Sequence, residues 1–136
     1  MINFSFSIGV KSMNCEVEGL KELLTEALST AKKRPDGVYY DYTLYFPVLK
    51  SKLPIEDPLY YWNDAVYIAD LISKVARENF GCETFGVNPV DLDEGIYALY
   101  MHMKCGDGDM YDLLFDLEYH EDKATWYITA MDMQRL

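Results

Sequence analysis

From Ile96 to Met133, apolar and polar residues trade places at nearly every step. Successive side chains of a strand point to opposite faces, whereas a helix groups residues three and four apart, so this stretch reads as strands. Ile96 to Lys104 alternates Tyr97, Leu99, Met101 and Met103 with Ala98, Tyr100, His102 and Lys104. Met110 to Tyr119 alternates Tyr111, Leu113, Phe115, Leu117 and Tyr119 with Asp112, Leu114, Asp116 and Glu118. Lys123 to Met133 sets Ala124, Trp126, Ile128 and Ala130 against Thr125, Tyr127, Thr129 and Met131. Turn chemistry joins the runs: Gly106-Asp107-Gly108-Asp109, whose glycines accept positive φ without steric cost, and His120-Glu121-Asp122. The expected product is a three-stranded antiparallel meander with one face toward a core and one toward water.

The rest of the chain supplies the partners for that core. Residues 2–10 alternate Ile2, Phe4, Phe6, Ile8 and Val10 with polar residues and read as a strand. Over 16–33, Val17, Leu20, Leu23, Leu24, Ala27, Leu28 and Ala31 fall on one helical face, with glutamates toward the start and Lys32, Lys33 and Arg34 at the end, as the helix dipole favours. Pro35 stops that helix. Residues 38–46 read as a tyrosine-rich strand, and Pro47, Pro54 and Pro58 break up the connection after it. A second helix is expected from Asn63 to about Asn79, burying Ala65, Ile68, Ala69, Ile72, Val75 and Ala76. Residues 82–95 read as a loop with a short strand at 83–87. The expectation is one α+β domain over 1–136, in the order β-α-β-α-β-β-β, with two helices on one face of a mainly antiparallel sheet.

Charge narrows the choice of partner. Against 12 Lys and Arg stand 23 Asp and Glu, a net charge of −11. Such a field repels a nucleic acid backbone or an anionic membrane and attracts a basic protein. No run approaches the ~20 apolar residues of a membrane helix. Cys15, Cys82 and Cys105 are odd in number and widely spaced, and the start of the sequence, Met1 leading straight into alternating Ile2, Phe4, Phe6 and Ile8, gives no expectation of a secretory signal. Free thiols in a reducing cytoplasm are therefore expected.

Catalytic and cofactor signatures do not emerge. Gly106 and Gly108 join two strands, not a strand and a helix, so no phosphate loop is read. His102 and Cys105 are too few ligands for zinc, and His102 reads as a surface residue of its strand. Neither Asp91, Asp93 and Glu94 nor Asp107, Asp109 and Asp112 keeps the spacing of a calcium loop. No cofactor, metal or catalytic residue is assigned. Acid–base carboxylate pairs need only proximity, which 23 acidic residues supply by chance.

The negative charge is concentrated. Residues 91–136 hold 11 acidic and 3 basic side chains, whereas 1–34 are near neutral. If the three strands pair in chain order, the open face presents Asp112, Asp116 and Glu118 among Tyr100, Tyr127, Leu114 and Met131, with Asp107 and Asp109 at one rim and Glu121 and Asp122 at the other. Tyrosines offer contact area at small entropic cost, and carboxylates accept bidentate bonds from arginine. The expected partner-binding residues are thus Asp107, Asp109, Asp112, Asp116, Glu118, Tyr100 and Tyr127. The expected function is neutralisation of a basic macromolecule, as by an immunity protein against a nuclease-type bacterial toxin, or by a phage anti-restriction protein. The alternative is a small enzyme or ligand-binding domain whose pocket lies between helices and sheet, lidded by residues 39–62. Self-pairing along strand 38–46 is compatible with either.

Overall fold

The computed structural model describes residues 8–33 (side chains from Val17), 39, 44–53 and 59–136 (side chains from Tyr60). Helix α1 spans Ile8–Lys33 and strand β1 spans Phe46–Lys50. Helix α2 spans Leu59–Phe80. Four strands come after it: β2 (Cys82–Asp93), β3 (Ile96–Cys105), β4 (Met110–His120) and β5 (Thr125–Arg135). All five strands form one antiparallel sheet in the order β1-β5-β4-β3-β2. The fold is therefore α+β, with the expected C-terminal meander at β3-β4-β5.

Three expectations change. Residues 8–10, assigned to a first strand, belong to α1; residues 1–7 lie outside the described residues. Of the tyrosine-rich strand at 38–46, only Tyr39 and 44–46 are described, and Phe46 opens β1. Residues 82–93 are a full strand, not a loop. Alternation fails to reveal β2 because it is an edge strand with bulges at Phe85/Asn88 and Asp91/Asp93, each of which resets which side faces in.

The helices form where apolar residues make one stripe. Leu20, Leu23, Leu24, Ala27, Leu28 and Ala31 of α1 are buried, as are Ala65, Ile68, Ala69, Leu71, Ile72, Val75 and Ala76 of α2. Asn79 and Gly81 finish α2. The Asn79 amide donates to the Val75 carbonyl, and Gly81, at φ 64°, donates its N–H to Arg77. Helix α1 packs over β1 and β5, and α2 over β2 and β3. Between them lies the core, filled from the sheet by Leu99, Met101, Met103, Tyr111, Leu113, Phe115, Leu117, Trp126 and Ile128. Trp126 is wholly buried and donates its indole N–H to Asp64 at 2.9 Å, which ties β5 to α2. The Tyr119 hydroxyl donates to the Ser51 carbonyl at 2.7 Å and accepts from the Leu53 N–H, pinning the chain that leaves β1.

Cys82 and Cys105 are direct partners across β2 and β3 and form a disulfide on the core side of the sheet. The free-thiol expectation is wrong for this pair, and the inference from free thiols to a reducing cytoplasm falls with it. The Cys15 side chain lies outside the described ones. Among the described residues, no helix is long and apolar enough to cross a membrane.

Candidate functional site

Because both helices pack on one side, the other side of the sheet faces outward, and strand parity decides what it displays. On β4 the outward positions are Asp112, Leu114, Asp116, Glu118 and His120. Their partners on β3 are His102 for Asp112, Tyr100 for Leu114, Ala98 for Asp116 and Ile96 for Glu118. On β5 the partners are Gln134, Asp132, Ala130 and Tyr127 for the same four β4 residues. Five of the seven expected contact residues therefore share this face: Tyr100, Asp112, Asp116, Glu118 and Tyr127.

Asp107 and Asp109 do not join them. The β3–β4 turn holds both toward cations at the end of the sheet. Asp107 pairs with Lys32 of α1 at 3.4 Å and accepts the Asp109 N–H, while Asp109 pairs with Arg135 at 3.7 Å. The Asp109 amide and then Lys32 hold the Asp107 carboxyl below its ordinary value. Beneath that turn, Tyr111 is sealed in the core with its hydroxyl on Asp109, and burial pushes its phenol up to about 12.

Two expectations about the faces of β5 are corrected, those for Met131 and Ala130. Met131 is fully buried on the core side, not open. A bulge explains it. Leu117 pairs with Ile128 and Asp116 with Ala130, so Thr129 is an extra residue, and its hydroxyl donates to the Asp116 carbonyl. Beyond it parity reverses: Met131 and Met133 turn inward, and Ala130, Asp132 and Gln134 turn outward. Sequence reasoning missed Asp132 and Gln134 for this reason. The available signal was a charged residue on the side that strict alternation buries.

The outward face has built-in order. His102 donates through Nδ1 to Asp112 Oδ1, and its ring lies tilted against Phe85 with centroids 5.3 Å apart. Gly86, at φ 61°, lies against that ring; a Cβ there would come within 2.8 Å of His102 Cδ2. A glycine and a bulge in β2 thus make room for the imidazole. At the other end of β4, His120 Nε2 meets Glu118 at 2.7 Å, and its ring packs on Tyr127. Both histidines of the chain sit on this face, each held by a carboxylate of β4.

At the His102 end the surface dips. A cavity of about 340 Å³ is lined by Tyr100, His102, Asp112, Leu114, Asp132 and Gln134. Asp132 Oδ1 is closed off from solvent and has no hydrogen-bond partner among the described residues. Burial, and then the neighbouring Asp116, hold the Asp132 carboxyl above its ordinary value. Of the expected lid over 39–62, residues 40–43 and 54–58 lie outside the described residues. Tyr61 packs edge-on against Tyr119 and Trp126, closing the end of the core, while Tyr60 and Trp62 are exposed.

No family model, curated protein or solved structure matches this chain. Among the described residues no three His, Cys, Asp or Glu side chains are grouped to hold a metal ion. What the face offers is an array of hydrogen-bond acceptors on a rigid sheet, bordered by the exposed rings of Tyr100 and Phe85.

Proposed function

We propose that this chain is an acidic binding protein that docks through its open sheet face on a basic macromolecule and neutralises it, as an immunity protein does to a nuclease-type bacterial toxin. One observation carries the reading. Asp112, Asp116, Glu118 and Asp132 share one face with Tyr100, Leu114 and Tyr127, on the side of the sheet away from both helices. A cleft that binds nucleic acid presents arginines and lysines at phosphate spacing, and carboxylates on a stiff sheet compete for them. The net charge of −11 adds long-range steering toward such a partner. This reading places the encounter in the cytoplasm, where a nuclease meets its nucleic acid. Cys82 and Cys105 lie on the core side of the sheet, away from that face.

The test mixes the purified chain with nuclease toxin domains of basic pI, including any encoded beside its own gene, and follows nuclease activity. One of them is expected to lose activity, with binding that weakens steeply as salt rises and vanishes in Asp112→Lys plus Asp116→Lys. Undiminished nuclease activity throughout, or inhibition that survives the charge reversal, overturns the reading.

A further inference from the structure

The depression in the open face has a narrower chemistry than the face around it. Its walls combine the carboxylates of Asp132 and Asp112, the His102 ring that meets Asp112, the Gln134 amide, and apolar surface from Leu114 and Tyr100. The surrounding charge excludes anions, and among the described residues no metal-holding group exists. A volume of about 340 Å³ lies at the small end of ligand cavities, which run from roughly 300 to 1,000 Å³, so it suits a side chain better than a cofactor.

We propose that this depression is a guanidinium subsite: one arginine of the basic partner inserts between Tyr100 and Leu114 and donates to the carboxylates of Asp132 and Asp112. This rests on the proposed binding function and deepens it by naming the residue that is read. Arginine is favoured over lysine for three reasons. Its planar fork reaches two acceptors in different directions from one group. It is more weakly hydrated, so entering a partly closed site is less unfavourable. Its flat face stacks on a phenol ring, and Tyr100 is 46% exposed and available for this. Its methylene stem covers Leu114. The face as a whole answers to positive charge; the depression answers to its shape.

The experiment titrates the ¹⁵N-labelled full chain with two capped peptides, Ac-Gly-Arg-Gly-NH₂ and Ac-Gly-Lys-Gly-NH₂, at neutral pH. The arginine peptide is expected to shift the amides of 100–102, 112–114 and 132–134, and to bind at least about fivefold tighter than the lysine peptide, within the range of one charge-assisted hydrogen bond. Asp132→Asn should bring the two peptides level, Asp107→Asn should leave the preference intact, and Gln134→Arg should block the site with its own guanidinium. Thermal melts of each variant establish that it is folded. Equal binding of the two peptides, shifts elsewhere on the surface, or a full arginine preference in Asp132→Asn overturns the subsite. The two proposals fail separately. An absent arginine preference alongside nuclease inhibition that Asp112→Lys plus Asp116→Lys abolishes sinks the subsite alone. Arginine binding without any inhibited nuclease sinks the neutralising function alone.

Discussion

On the covered side of β4, Tyr111, Leu113, Phe115 and Leu117 are at most 3% exposed and merge into one core with both helices. One step along the same strand, Asp112, Leu114, Asp116 and Glu118 stay half-buried at the outer surface. The two sets share backbone, hydrogen bonds and neighbours in sequence; only parity separates them. Stability is thus assigned to one side, and the proposed recognition to the other. Substitutions on the outer side can change charge and shape without opening a void in the core. An isolated meander has nothing to cover its apolar face, so the helices are what make this division usable.

The largest expected effect tests that division directly. Phe115→Ala should lower unfolding stability by about 3–5 kcal/mol, from lost burial and the cavity left behind, whereas Leu114→Ala should cost about 1 kcal/mol or less. Urea unfolding of both variants measures the contrast. Equal costs would break it, and would mean that the outer face is covered by another copy of the chain. A smaller effect comes from the disulfide, which belongs to the core side. Replacing it with Cys82→Ala plus Cys105→Ala should lower stability by about 2–4 kcal/mol through the restored freedom of the unfolded chain, the separation being 23 residues. Amide shifts of Asp112, Leu114 and Asp132 should hardly move. Large changes there would show that the outer face depends on the bridge.

How much of the molecule was readable from sequence tracks the strength of each periodic signal. The meander was legible because β3 and β4 keep strict alternation and their turn carries two glycines. Both helices were legible from their apolar stripes, although α1 begins at Ile8 and α2 at Leu59, earlier than the cues at Glu16 and Asn63. Strand β2 was hidden because its edge position leaves most side chains exposed and its bulges interrupt alternation. The disulfide was hidden because pairing is a property of register: Cys82 and Cys105 meet only once β2 is known to be a strand. Five members of the candidate site came from parity alone. Asp132, which gives the depression its character, lies beyond a one-residue bulge at Thr129, and no simple count of twos carries past it.

The smallest expected effect sharpens the comparison within a single residue type. Asp107 belongs to the salt-bridged turn and Asp132 to the open face, and their carboxyls move in opposite directions from an ordinary value of 3.8. For Asp107, amide and lysine partners favour the charged form. Its contribution is present above the unfolded value and is lost as pH falls through the lower folded value. For Asp132, burial and Asp116 disfavour the charged form. Its contribution is fully present below the unfolded value and is lost as pH rises through the higher folded one, so the ionised group burdens the fold at neutral pH. Asp107→Asn should therefore be less stable than wild type at neutral pH, with the gap closing in acid. Asp132→Asn should be more stable than wild type at neutral pH, again with the gap closing in acid. Urea midpoints measured from about pH 3 to 7, spanning the carboxylate range, give both slopes. Slopes of the same sign would mean that Asp132 is as well solvated or paired as the turn carboxylate. The open face would then lose its one buried acceptor without a hydrogen-bond partner among the described residues.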